Sequence, residues 1–267
     1  MLGACGGEPT ESASDAGGAS DAGGASGAAG QGFPVSEACK GTEPARMVAL
    51  PEGFSVDETE VTRCQYEVWL AEGPSTDGQP AECSWNDDFT PACDWPPGEI
   101  GDLPVHCVDW CDAFAYCEAM GKRLCGKIGG GPNRYDDLAD PTKSQWYAAC
   151  SAGGEYSFPY GDEYDPERCN GGDNGATGCD HGDCKLVSGG AYSSCQSIGV
   201  GYSGVYDLSG NVWEWEDACD GATGAADPCR VRGGAVNYGQ GSLTCAAEEY
   251  FNRNVNTAVG LRCCSKP

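Results

Sequence analysis

The chain has 267 residues, with 41 acidic against 15 basic side chains and a formal net charge of −26. A surface this acidic repels phosphate backbones and excludes nucleic acid as a partner, while it attracts cations. Nineteen cysteines, set singly along the chain without paired C-x₂-C knuckles, and only two histidines, His106 and His181, exclude a zinc framework. They predict disulfides in an oxidising, extracytoplasmic compartment.

In chain order, Leu2-Gly3-Ala4-Cys5 reads as a lipobox, with Cys5 the lipidated residue. The charged and apolar leader expected before a lipobox does not precede it, so the natural start is expected upstream of Met1. Setting Cys5 aside leaves an even number of cysteines for bridges. The repeat Ser14-Asp15-Ala16-Gly17-Gly18-Ala19, repeated over residues 20–25, has nothing to bury and predicts a disordered tether. Residues 6–31 would reach about 30 Å. The expected organisation is therefore a lipoprotein N-terminus and tether over 1–37 and one domain over 38–267. No apolar run of spanning length occurs, so membrane contact would come only through the lipid.

Three helices are predicted. Thr62-x-x-Gln65 forms a capping box for a helix to Glu72, placing Tyr66, Trp69 and Leu70 on one face. Asp109 caps a second helix to Met120, with Trp110, Ala113, Phe114 and Cys117 at helical spacing and Gly121 as terminator. Thr142-x-x-Gln145 starts a third, carrying Trp146, Ala149 and Cys150. The remainder is rich in Gly, Pro, Asn and Asp, which predicts short strands and long loops held by disulfides and bound ions. Segments 73–103, 125–141 and 171–197 read as insertions stapled by their own cysteines. Local loops would pair Cys83 with Cys93 and Cys219 with Cys229. Gly199-x-Gly201-x-x-Gly204 lacks the flanking strand and helix of a phosphate site and reads as turn sequence.

The densest signal is Tyr206-Asp207-Leu208-Ser209-Gly210-Asn211-Val212-Trp213-Glu214-Trp215. Its Gly-Asn turn and two tryptophans suit a hairpin packed on the core. Its carboxylates and freed carbonyls equally suit a hard cation.

Taken in order, several segments resemble the sulfatase-modifying-factor family of formylglycine-generating enzymes and their relatives. They are Phe54 to Thr62 with Tyr66; Pro104-Val105 to Cys117; Gly121-Lys122-Arg123-Leu124; Gln145 to Cys150; Phe158-Pro159-Tyr160-Gly161; Cys169-Asn170; Gly204 to Trp215; Arg230-Val231-Arg232-Gly233-Gly234; and Gly260-Leu261-Arg262-Cys263. The resemblance covers about residues 45–264. It implies an α+β fold, a C-type-lectin-like variant with much irregular structure. It also implies structural Ca²⁺. One site would use the side chains of Asp207 and Glu214 with the carbonyls of Gly210 and Val212. A second would use Asn170 and the carbonyl of Gly171, completed from the 173–183 loop by Asp180 or Asp183. The family's two structural bridges map onto Cys117–Cys263 and Cys150–Cys245.

The family's catalytic members oxidise a substrate cysteine to formylglycine, binding copper through two cysteines after the Arg-Gly-Gly segment, beside a serine. Here Ala235 takes the serine place and Tyr238 the first cysteine place, and Cys245 is already assigned to a bridge. Copper and catalytic residues are therefore not expected. The sequence predicts a binding or scaffold module for an extracellular protein, peptide or glycan, with Tyr192, Tyr202 and Tyr238 as candidates for its binding face. The alternative is a copper-dependent formylglycine-generating oxidase with rearranged ligands.

Overall fold

The structure, a computed structural model, describes residues 34–98, 100–175 and 185–267. Its elements are β1 (Met47–Ala49), β2 (Ser55–Asp57), α1 (Arg63–Ala71), α2 (Trp110–Ala119), β3 (Arg123–Leu124), α3 (Gln145–Ser151), β4 (Trp213–Cys219), β5 (Pro228–Arg232), β6 (Glu249–Asn252), β7 (Val259–Gly260) and β8 (Cys263–Cys264). One sheet runs β1-β2-β8-β3 and the other β6-β5-β4-β7. Every pairing is antiparallel except β4 with β7. Most of the chain is irregular, so the expected α+β, loop-rich fold is what forms. No helix among the described residues is long and apolar enough to cross a membrane.

Local rules set two helix starts. Thr62 Oγ1 accepts the Gln65 N–H, and Gln65 returns a bond to the Thr62 N–H. Asp109 and Asp112 cap α2 reciprocally in the same way. Gly121, at φ +70°, ends that helix as expected. The third start is different. Thr142 turns back onto Asp140, whose Oδ1 accepts both its N–H and its hydroxyl, while Ser144 caps α3 through the Tyr147 N–H. The Gln145 side chain is drawn inward instead, accepting from Arg123 and from the Gly126 N–H. Ser144 also donates to the buried Glu216 carboxylate at 2.7 Å. Ser144→Ala should therefore cost about 2 kcal/mol, a lost cap plus an unpaired buried oxygen. Thr142→Ala should cost less than about 0.5 kcal/mol. Urea denaturation of the two variants with disulfides intact compares them directly.

Strand β4 shows how the core is arranged. Alternate residues face opposite sides of a sheet. Trp213 and Trp215 enter the larger apolar cluster with Tyr66, Trp69, Trp110 and Val231. Glu214 and Glu216 point the other way, equally buried, toward Arg262 and Arg232. A second cluster packs α3 against Val56, Val205 and Leu208.

All sixteen described cysteines are bridged, in eight disulfides. Cys117–Cys263 and Cys150–Cys245 form as the resemblance implies. Cys219–Cys229 forms across directly opposed residues of β4 and β5. The adjacent Cys263 and Cys264 reach opposite faces of β8 and take different partners, Cys117 and Cys125. The expected Cys83–Cys93 loop is not formed. Cys83 pairs with Cys111 and Cys93 with Cys107, so the 73–103 insertion is pinned onto the start of α2 rather than closed on itself. Cys195 likewise reaches outside the 171–197 segment, to Cys169. Cys5, Cys179 and Cys184, residues 1–33 of the expected 1–37 N-terminus and tether, and the Asp180 and Asp183 candidates lie outside the described residues.

Candidate functional site

The segment leading into β4 is a chain of left-handed residues: Asp207 at φ +59°, Gly210 at +87° and Asn211 at +62°. Gly210 is required, because a side chain there would sit 2.4 Å from the Asn170 carbonyl oxygen. That contact joins the two expected calcium sites into one neighbourhood. Asn211 is fully buried and fully bonded. It donates to Glu60 (3.0 Å) and to the Val187 carbonyl (3.1 Å), and accepts from the Val187 N–H (3.1 Å) and the Asn170 amide (3.0 Å).

The carboxylates beside it are unequally served. Glu214 is saturated: Arg262 donates to both its oxygens at 2.7–2.9 Å, and the Trp146 indole adds a bond at 2.8 Å. Asp207 accepts the Gly190 N–H through one oxygen at 2.6 Å, and its other oxygen is buried without a partner. Glu60 also leaves one buried oxygen unpaired. Burial pushes the Asp207 carboxyl up to about 6, with Arg262 opposing and Glu214 adding to the rise. Glu60 is driven well above the usual carboxylate range by burial and then by Asp207. Three carboxylates thus share one guanidinium. The two orphaned oxygens and the surplus negative charge fit a hard cation. Of the expected set, Asp207 keeps a buried oxygen without a partner, whereas Glu214 belongs first to Arg262. Gly210 and Val212 lie in the same turn. Glu60, which sequence reasoning left unassigned, joins them; its place just before the Thr62 cap gave no sign of its partners. At the second expected site, the Asn170 side chain donates to Asn211 and to the Lys185 carbonyl at 3.0 Å, and the Gly171 N–H bonds Cys169.

The Arg-Gly-Gly segment builds the adjoining cleft. Arg232 is wholly buried, ion-paired with Glu216 at 3.5 Å and stacked over Trp146. It donates to the carbonyls of Leu138, Cys245 and Ala247, pinning both ends of the following loop. Gly233 and Gly234 turn the chain at φ +85° and +76°. Ala235, Val236 and Asn237 then face a cleft of about 700 Å³, opposite Arg63, His106 and the Cys93–Cys107 bridge. In the place expected for the first copper cysteine, the Tyr238 ring packs edge-on against Trp213, 5.1 Å between centres. Cys245 is bonded to Cys150. These positions offer copper no thiolate and do not fit it.

The expected tyrosine face does not assemble. Tyr202 bonds Glu52 and packs in the α3 cluster, and Tyr192 bonds Asn174 in a separate small cluster. The cleft is lined instead by the cysteine bridge and His106. The one available signal was the adjacency of His106 to Cys107, in a chain with only two histidines.

The chain matches the Sulfatase-modifying factor enzyme 1-like domain over residues 14–267. It is 27% identical over 197 residues to the formylglycine-generating enzyme of Thermomonospora curvata, covering 64% of this chain and 54% of that protein. It is 33% identical over 123 residues to the inactive C-alpha-formylglycine-generating enzyme 2 of Mus musculus, covering 43% of this chain and 32% of that one. The chain thus spans about half and a third of these relatives' lengths. Among solved structures, CarF superposes with a TM-score of 0.52 at 18% identity, over 80% of this chain and 86% of that one. PvdO from Pseudomonas aeruginosa gives 0.50 at 17%, over 89% and 90%. At such identities the likeness is one of fold. With the domain match spanning nearly the whole sequence, the chain belongs to the sulfatase-modifying factor family of formylglycine-generating-enzyme-like proteins.

Proposed function

We propose that this chain is a non-oxidising member of its family, a binding module that takes an extracytoplasmic polypeptide in the cleft beside Ala235–Asn237. The observation that carries this reading is that Tyr238, in the place of the first copper cysteine, is packed on Trp213, while Cys245, the one cysteine of that loop, is consumed by the bridge to Cys150. A polypeptide fits the cleft better than a glycan. Aliphatic Ile100, Leu103, Leu186, Val212 and Val236 line it beside charged and amide groups that can meet a peptide backbone, and among the described residues no Trp, Tyr or Phe lines it for a sugar to stack on. The bridged cysteines support an extracellular setting. Anchoring through a lipid on Cys5, and the lectin-like variant of the fold, belong to the same proposal. So does structural calcium at the Asp207, Gly210, Val212 and Glu214 turn, with Asn170 and Gly171 beside it.

The test is a copper titration with a fluorescent peptide carrying a sulfatase-type cysteine. The expected result is binding that is equal with and without copper, and no copper- and oxygen-dependent formation of formylglycine by mass spectrometry. Copper-dependent oxidation of the peptide would establish the rearranged-ligand oxidase instead.

A further inference from the structure

Fourteen of the sixteen described cysteines are buried; Cys93 and Cys219 are half-buried. The bridge of Cys93 is the one that lines the cleft, and its surroundings are chemically specific. His106 Nδ1 lies 3.3 Å from Cys93 Sγ and 3.1 Å from Cys107 Sγ. At the other edge of the ring, Arg63 Nη2 lies 3.2 Å from Nε2. A guanidinium only donates, so Nε2 accepts and the ring proton sits on Nδ1, facing the sulfurs. Burial and then the Arg63 charge lower the affinity of the ring for a second proton. Asp94 opposes this from 3.4 Å but is 61% exposed, and among the described residues Lys185 is the remaining charged side chain on the cleft. A neutral imidazole is thus held with its N–H aimed at whichever sulfur gains negative charge, and a guanidinium stands behind it. Such surroundings stabilise a leaving thiolate. The backbone is strained at both ends of the bridge: Cys107 is left-handed at φ +60°, as is Asp94, next to Cys93, at +51°.

We propose that Cys93–Cys107 is a thiol-exchange site for a cysteine-containing polypeptide seated in the cleft, an inference that rests on the cleft being a polypeptide site. A substrate thiolate attacks the half-buried Cys93 Sγ. The Cys93–Cys107 bond breaks, its electron pair leaves on Cys107 Sγ, and His106 Nδ1–H stabilises that thiolate. A second substrate thiolate then attacks the substrate sulfur of the mixed disulfide and releases Cys93. Two substrate thiols become one disulfide, giving up two electrons and two protons, and the Cys93–Cys107 pair gains two electrons. A low-molecular-weight disulfide is the oxidant that recharges it.

The Cys219–Cys229 bridge provides an internal control, since it also has one half-buried sulfur and, among the described residues, no imidazole against it. The oxidised full chain is exposed to reduced glutathione at neutral pH, quenched with acid, alkylated and peptide-mapped by mass spectrometry. The expected result is glutathione on Cys93 and alkyl label on Cys107, about tenfold or more faster than any modification at Cys219 or Cys229. His106→Phe should remove that advantage and alter the pH dependence of the Cys93 reaction, leaving the Cys219–Cys229 rate unchanged. Equal rates at the two bridges in the unmutated protein would overturn the proposal, whether or not the variant folds. A serine analogue of the sulfatase-type peptide, followed by anisotropy, reads the cleft alone. Its binding without glutathione reactivity at Cys93 rejects the exchange site and keeps the binding module. Failure of the analogue to bind rejects the polypeptide cleft, and the exchange site with it.

Discussion

Replacing Arg262 by alanine should cost about 3–5 kcal/mol of folding stability, lowering the melting temperature by roughly 10 °C. Arg262 is fully buried. It donates to both Glu214 oxygens and to the carbonyls of Asp57 and Tyr206. Its charge is also the one that opposes the rise of Glu60 and Asp207. Removing it strands three carboxylates in a low-dielectric site and leaves two backbone carbonyls without this donor. The loss comes from the unpaired partner more than from the bond itself, which gives a second arm. Arg262→Met combined with Glu214→Gln should recover part of the deficit, because the carboxylate that Arg262 pairs directly is no longer a buried unpaired charge, while Asp207 and Glu60 still lack the guanidinium. Arg262→Lys should fall between, since an ammonium cannot engage both oxygens and both carbonyls from one plane. Urea denaturation with disulfides intact measures all three. A cost below about 1 kcal/mol for the alanine variant would show that Arg262 does not hold this cage together.

The second large effect concerns calcium and pH. A carboxyl whose affinity for protons is higher in the folded state than in the unfolded chain makes the folded state bind more protons between the two values, so stability falls as pH rises through that window. Asp207, Asp109 and Asp217 are each pushed up to about 6, first of all by burial. In a chelating buffer the protein should therefore be more stable near pH 5 than near pH 7. For Asp207 alone, the rise from 3.8 to about 6 is worth at most about 3 kcal/mol. A cation on the Asp207 and Glu60 oxygens removes that penalty. Calcium should stabilise the folded protein at pH 7 by up to about 4 kcal/mol at a thousandfold excess over its dissociation constant, raising the melting temperature, and do little at pH 5. Asp207→Asn should abolish the calcium increment and stabilise the chelated protein at pH 7. Melting curves at pH 7 that coincide in calcium and in chelator would rule the site out.

What could be read from the residues in order was what depends on near neighbours. Thr62 with Gln65, and Asp109 with its α2 face, are settled within one helical turn. The two tryptophans beside the Gly210-Asn211 turn, read as core residues, do lie in the core. The α3 cap was misassigned for a tertiary reason: Gln145 is taken by Arg123 and Ser144 by Glu216, neither close in sequence. The expected calcium ligands follow from the family resemblance, by position along the turn. That assignment missed Arg262, 48 residues on from Glu214, which saturates it, and Glu60, 147 residues before Asp207, which joins Asp207 in lacking a partner.

The amino-acid sequence by itself determined that this is an acidic, cysteine-rich chain of the sulfatase-modifying factor family, with no copper cysteine pair after its Arg-Gly-Gly segment. These are properties of residue identity and order. The tertiary structure alone decided that Cys93 turns to Cys107 rather than to Cys83, and that His106 and Arg63 stand against that bridge across from Ala235. The reason is physical. Which cysteines meet, and what charge lies beside them, depends on how the 73–103 insertion lies against α2, a path set by long-range packing that local spacing does not record.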